Sequence, residues 1–413
     1  MITHSAPPPR SRLPILLLSA AGFTILTTEF VIIGLLPPMA RDLGVSVSQA
    51  GLLVTLFAVT VAVAGPLLTA RVAHCERKTL FVSTLLFFAL SNVLAAVSPN
   101  IAVMAVARFV PALMLPVFWS LASETGMRIM GPDQAGKAVS MVGFGIVAAT
   151  IFGIPIGTLI SDRFGWRTAF AAIAVLASAK AVLLFVFLPT IQANQDRVPV
   201  WRQMGILRGP RMLGHVLLSL LVFAGMFTAY TYLADILEKL GGLSGAAVGW
   251  ILMGFGGIGL LGNWLGGRFV DRHPLRASIL FCVPLAIGLL LLVPLIKSPA
   301  GLTLVLGAWG ICQAALFTVS HTRVMKAAES TPALGASLNI SGANFGIAVG
   351  ALLGSRVIDL AGLEKVSVAA AVIVILAIVA AVFAMSTTPR DDLQASLRPV
   401  LSVQHQGDQR EHP

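Results

Sequence analysis

The sequence predicts an all-α membrane protein: twelve transmembrane helices in two pseudo-symmetric six-helix bundles. Three observations predict it. The 413 residues are 57% hydrophobic and only 11% charged, with a mean hydropathy of +0.92. A water-soluble chain carries about 25% charged residues, so this one cannot clothe a surface that faces water. Its apolar runs are roughly 20 residues long and lack period-2 alternation, which in lipid selects helices over barrel strands. Finally, a polar stretch near the middle divides two halves that resemble each other.

The runs fall at about 13–36, 47–70, 79–97, 100–122, 138–160, 168–188, 212–234, 246–266, 278–296, 301–322, 335–358 and 366–385. The first follows a basic segment, "MITHSAPPPRSR", but is too long for a signal-peptide core and lacks a small-residue cleavage site, so it reads as a retained span. The Pro-bounded stretch "PTIQANQDRVPVWRQMGILRGPR" separates six spans from six. The expected organisation is a tail at 1–12, a first bundle at 13–188, a linker at 189–211, a second bundle at 212–385 and a tail at 386–413. An even number of spans puts both termini on one side. With that side cytoplasmic, nineteen Lys and Arg lie inside and seven outside, and Arg108 and Lys180 fall within spans. The bias places both termini in the cytoplasm.

The halves align without gaps at an offset of 197. "GIPIGTLISDRFGW" (153–166) meets "GALLGSRVIDLAGL" (350–363), pairing Gly153, Gly157, Asp162 and Gly165 with Gly350, Gly354, Asp359 and Gly362. Upstream, Ser140 and Gly145 meet Ser337 and Gly342. Six spans per half is even, so the copies share one orientation, the parallel-repeat plan of transporters.

Composition also excludes classes. The net charge of +11 sits in short loops, so it speaks of topology and not of nucleic acid. Cys75, Cys282 and Cys312 form no disulfide framework or metal-binding spacing. No nucleotide motif, metal cluster or soluble domain is present, which argues against a pump driven by ATP or a membrane enzyme; the expected cofactor is none.

Charges inside spans are the functional candidates. Glu29 lies within "ILTTEFVIIGLL", about seven residues from the outer end of its run, and Arg108 lies within span 4 at a similar depth. A charge near mid-bilayer costs at least ~2.5–3.5 kcal/mol on insertion scales, so each needs a partner or a wet cavity. Desolvation favours the neutral acid and a nearby cation favours the carboxylate. A glutamate balanced between the two can take up and release a proton, and an Arg108 contact, direct or through water, is geometrically allowed. The alternative is a merely structural ion pair. Lys180 in span 6 either snorkels or meets a polar neighbour.

Three further patterns concern packing and gating. "GGRFVDRHPLRAS" places Gly267, Asp271 and Arg272 at a tight basic turn, where Gly267 would let two helices approach and Asp271 would latch the inner gate. The equivalent first-half loop, "TARVAHCERKTL", keeps only the basic pair Arg77 and Lys78. Span 5 carries Gly145, Gly153, Pro155 and Gly157, a flat face for close packing interrupted by a proline kink.

These stretches resemble the major facilitator superfamily, and within it the twelve-span drug:proton antiporters. "TTEFVIIGLL", "ARFVPALMLPVFWSLAS", "GIPIGTLISDRFGWRTAF", "TAYTYL" and "SGANFGIAVGALLG" look most like the bacterial sugar-efflux transporters of that group, over about residues 13–385. The resemblance implies a central cavity lined by spans 1, 4, 7 and 10. It implies that Arg108 is the span-4 arginine of proton coupling, here followed by Pro111 and Ala112 where the pattern has Gln and Gly. It also makes the span-5 face the antiporter motif, with Ile154 between Gly153 and Pro155. Cavity candidates are Thr28, Trp119, Thr228, Tyr230, Tyr232, Trp309, Gln313, Asn339 and Asn344, polar or aromatic residues on the implied cavity helices and span 11, each of which could instead serve only helix packing. The expected protein is a monomer in the bacterial inner membrane that exports small organic solutes, sugars or amphipathic drugs, against inward proton flow. Its partners would be substrate, protons and lipid, with no nucleic acid. Sugar uptake by a facilitator or proton symporter, or a non-transporting membrane sensor, are the alternatives.

Overall fold

The structure, a computed structural model, describes residues 13–72, 75–131, 134–191, 209–271, 273–328 and 332–386. The two expected tails (1–12 and all but Ser386 of 386–413), most of the expected linker and Arg272 lie outside the described residues. Twelve helices are long and apolar enough to cross a membrane. They are α1 Leu13–Leu43, α2 Val47–Val72, α3 Arg77–Ala96 and α4 Ile101–Met130. Helix α5 runs Ala135–Ala148, passes through a π turn at Ala149–Gly153 and resumes as Ile154–Phe164; α6 is Trp166–Phe187. Helix α7 is Pro210–Tyr230, extended by Leu233–Asp235 and a second π turn at Ile236–Leu240. Then come α8 Gly245–Val270, α9 Pro274–Leu295, α10 Pro299–Ala327, α11 Pro332–Ala361 and α12 Val366–Ser386.

Local chemistry sets the boundaries. The Asn100 side chain accepts from Val103 N at 3.0 Å to start α4, and Ser298 does the same from Gly301 N at 3.2 Å to start α10. Gly165 (φ 85°) and Gly362 (φ 91°) stop α5 and α11 in the left-handed region that only glycine enters freely. They are the equivalent residues of the repeat, so the duplication carries its stop signal with it. Two sequence expectations change. Helix α1 does not end at 36 but continues through Pro37 and Pro38 to Leu43, which moves Glu29 to its middle. Arg323, counted with the loop charges, lies inside α10 and is buried.

Within the first half α1 packs on α5 and α6, α2 on α4, and α3 on α4 and α6; α7–α12 repeat this arrangement six helices later. Close approach depends on missing side chains, because lipid tails give helices no hydrophobic reason to associate. A Cβ on Gly145 would lie 2.1 Å from the Ser19 carbonyl oxygen, one on Gly153 would meet Thr27, and one on Gly157 would meet Val31. The antiporter-motif face is thus the α1 contact. Pro155 follows directly on the π turn, whose wide coil absorbs the hydrogen bond that proline removes. The glycine face of α8 differs from expectation. Gly267 has open space around it, whereas Gly262 and Gly266 touch the α10 backbone at Ile311 and Ala315.

The two halves meet away from the face that carries Leu13 and Ser386, here called the termini face. Thr55 Oγ1 donates to Ala348 O at 3.3 Å and Ser48 Oγ to Asp359 Oδ1 at 2.5 Å, joining α2 to α11. Gly249 and Gly256 of α8 pack against Leu159 and the Thr150–Ile151 backbone of α5. Arg41 pairs with Glu238 at 3.0 Å, and these two residues are themselves 197 apart. Among the described residues, every hydrogen bond and ion pair between the halves lies in this far half of the bundle. Among the described residues the polar contacts between the halves thus gather on the far side, where α2 also packs against α11.

The glycine contacts make a paired prediction. Gly262→Ala must push a methyl group onto the Ile311 carbonyl (2.1 Å as built) and is expected to cost about 1–3 kcal/mol, seen as a lower unfolding midpoint in detergent. Gly267→Ala is expected to leave the midpoint unchanged; equal losses would contradict the assigned packing.

Candidate functional site

Arg108 is drawn into the first bundle by its neighbours on α1 and α2. It is 1% exposed, and its guanidinium lies 4.3 Å from the Phe57 ring centroid. Its two terminal nitrogens donate to backbone carbonyls of α1: one to Thr28 O, the other to Glu29 O at 2.7 Å. Of the two forms of Glu29 interaction that the sequence allows, the direct ion pair is not made in this structure. Arg108 therefore makes no ion pair among the described residues. It forks across two carbonyls that already accept within the helix and fixes the rotation of α1.

Glu29 is 7% exposed and makes no hydrogen bond through its carboxyl among the described residues. The next residue, Phe30, meets Phe227 of α7 at 5.8 Å between centroids, the aromatic contact that bridges the halves at mid-membrane. From Phe227 an aromatic wall spreads through the second half: Phe223, Tyr230, Phe255, Trp309 and Phe317 follow one another with centroids 4.7–6.4 Å apart. A buried carboxyl thus lies one residue along α1 from the ring contact that leads into this wall, where each ring pair adds about 0.5–1.5 kcal/mol beyond its buried area.

The other candidates sort by their contacts. Tyr230 and Trp309 belong to the aromatic wall, and the Trp309 indole N–H donates to Gln313 Oε1 at 2.9 Å. Trp119 is half-buried edge-on to Phe118. Thr28 turns into the first bundle, where its hydroxyl accepts from Asn92 at 3.1 Å. Thr228 bonds back to Ala224 O and Asn344 to Ile340 O, within their own helices. Tyr232 belongs to the far-face closure: its hydroxyl donates to Ala351 O at 2.8 Å and its ring covers Gly51. Asn339 accepts from Ser219, which accepts in turn from Arg323. Arg323 also donates to His215 O at 2.9 Å, a buried polar network that sequence reasoning missed because Arg323 looked like a loop cation. Lys180 meets a polar neighbour, Thr24, at 2.6 Å and lies over the Phe23 ring.

The termini face carries separate charge clusters in each half. Arg77 is buried and reaches Glu124 at 3.2 Å, and Glu124 also holds Arg128 at 2.5 Å. Lys78 lies over the Phe185 ring. Glu76 caps α3 through Lys78 N and Thr79 N. In the second half Lys326 holds Asp271 at 3.2 Å and its carbonyl at 2.9 Å, tying the α8–α9 turn to the end of α10.

Two repeat halves, twelve spans and an acid at their shared mid-membrane boundary define a multi-pass membrane transporter, not an enzyme. The chain belongs to the Major Facilitator Superfamily, whose sequence model matches residues 18–330 and 216–402. It is 32% identical to the Inner membrane transport protein YdhP of Escherichia coli (strain K12) over 346 residues, 84% of this chain and 89% of that one. It is 29% identical over 385 residues to a Probable sugar efflux transporter of Pasteurella multocida (strain Pm70), covering 92% and 94% of the two chains. In three dimensions it is similar to a bacterial homologue of the human lysosomal transporter Spinster, inward-facing and occupied, with a TM-score of 0.75 at 15% identity over 94% of this chain and 99% of that one. The human organic anion transporter MFSD10 (TETRAN) gives 0.64 at 18% identity, over 91% and 100%.

Two predictions follow from this geometry. Arg108→Lys replaces the fork with a single ammonium and is expected to lose about 1.5–3 kcal/mol, one charged hydrogen bond, as a lower unfolding midpoint. Glu29→Gln removes no ion pair and is expected to leave that midpoint near the parent's; equal losses would mean the two side chains are paired after all. For Glu76, partial burial works against the anion, but hydrogen bonds from the Thr79 hydroxyl and the Thr79, Lys78 and Ile191 amides outweigh it and hold the carboxyl below its ordinary range. Its folded value is lowered, so its contribution is complete above the unfolded value and lost as pH falls through the folded one. Amide exchange at Lys78 and Thr79, corrected for intrinsic rate, should therefore rise in acid.

Proposed function

We propose that the chain is a proton-coupled exporter of small organic solutes in the bacterial inner membrane, with both termini in the cytoplasm. The observation that carries this reading is the Glu29 carboxyl, buried in the middle of α1, without an ion pair or hydrogen bond among the described residues, and one residue from the Phe30–Phe227 contact between the halves. A solute enters from the termini face and meets Glu29 on one side and the aromatic wall on the other. Protonation removes a charge from the one carboxyl at this boundary, and deprotonation restores it. Competition between solute and proton for that group couples the exchange, while the halves rock about the mid-membrane site. The apolar wall, with Tyr230 and Trp309, suits amphipathic compounds and the aglycone or ring face of a sugar conjugate. The likeness to a Probable sugar efflux transporter points the same way. Arg108 serves by holding α1, and with it Glu29, in one rotation.

Everted membrane vesicles test this. Candidate sugars and amphipathic drugs are added to energised vesicles, and the internal pH is followed with a fluorescent dye. Substrate is expected to release protons from the parent's vesicles and none from those with Glu29→Gln. Normal exchange in that variant sinks the coupling assignment, and accumulation independent of the pH gradient makes the protein a facilitator.

A further inference from the structure

The far-face closure is built from two seams related by the repeat, and they differ. In one, the start of α2 meets the end of α11, and Ser48 closes it by donating to Asp359 at 2.5 Å. In the other, the start of α8 meets the end of α5. Asp162 stands in the place of Asp359, but Gly245 stands in the place of Ser48, so there is no hydroxyl to donate. The Asp162 carboxylate lies directly over Gly245, where a Cβ would be 2.3 Å from it, and makes no hydrogen bond or ion pair among the described residues. This seam holds a cavity of about 330 Å³, lined by Gly34, Thr158, Ser161, Asp162, Glu238 and Ser244 among others. The Ser161 hydroxyl is buried in its wall without a partner. A seam that only had to seal would be closed at both places.

We propose that this cavity is a second solute site, on the far side of Glu29, for a neutral polyhydroxylated molecule of about monosaccharide size. The volume is at the lower end of the range for ligand pockets, about 300–1,000 Å³. The wall presents hydroxyls from Thr158, Ser161 and Ser244 and carboxylates from Asp162 and Glu238, groups that accept from and donate to vicinal hydroxyls. Its charges nearly cancel: Arg41 pairs with Glu238, and Asp162 faces the positive N-terminal end of α8. An anion would meet the unpaired Asp162 carboxylate, whereas the hydroxyls of a polyol can donate to it. The cavity borders Gly34, five residues and so roughly 7.5 Å along α1 from Glu29 toward the far face. That a solute would leave by this side depends on the export reading; binding does not.

The test is site-directed protection. In the full chain in nanodiscs, with the three native cysteines replaced by Ala, Ser161→Cys is alkylated by a water-soluble thiol reagent with and without saturating glucose or sorbitol. Labelling is expected to slow several-fold, and Asp162→Asn in the same chain should raise the half-protecting concentration about tenfold, as expected for one charged hydrogen bond. Ser244→Cys, on the opposite wall, repeats the measurement if the first variant does not fold. Gly245→Ser, which reinstates the hydroxyl of the other seam, should abolish protection. Unchanged labelling with every polyol, equal protection at a distant Lys297→Cys, or indifference to Asp162→Asn would each overturn the proposal. Loss of proton coupling in the vesicle assay would leave the protection intact, so the two failures are told apart.

Discussion

A buried guanidinium held by main-chain oxygens is the interaction on which the first half depends. Lipid offers Arg108 no water, and the acid of its own helix, Glu124, lies sixteen residues along and holds Arg77 and Arg128. It answers the cost of burial by taking two carbonyls from α1 and the ring of Phe57 from α2. The helix that carries Glu29 is thereby pinned to the helix with the charge, and the Glu29 carboxyl makes no ion pair among the described residues. Had Arg108 paired with Glu29, the acid would have been locked as an anion and neither group could change state cheaply.

Much of this was legible in the sequence, for a physical reason. Spans, repeat and family follow from hydropathy and from an ungapped offset, both of which survive without knowing where any side chain points. The same holds for Glu29 and Arg108, which stand out because charge in lipid is expensive. What was not legible is direction. Whether an arginine reaches a carboxylate or the carbonyls beside it turns on about one helical step, and so does whether Gly262 or Gly267 faces α10. Two of the cavity candidates turn on the same step. Thr28 and Tyr232 are polar residues on the expected helices, but one faces α3 and the other closes the far seam. Arg323 was lost for a different reason: a cation in the last turns of a long helix looks the same as one in a loop.

The two halves share a plan yet divide the work unequally. The first supplies the acid and its backbone clamp, whereas the second supplies rings and the Arg323–His215–Ser219 network. The glycines of α5 serve its contact with α1, whereas Gly249 and Gly256 of α8 let that helix approach α5 of the other half, one over the Leu159 side chain and one over the Thr150–Ile151 backbone.

The Arg41–Glu238 bridge bears on how such a chain could have arisen. Residues at the same position in two copies can touch only on the axis that relates them. In a freshly duplicated chain both would have been the same amino acid, and two arginines or two glutamates there would repel across the closure. Opposite charges at this one point turn a position where the repeat would set like against like into an attraction across the closure.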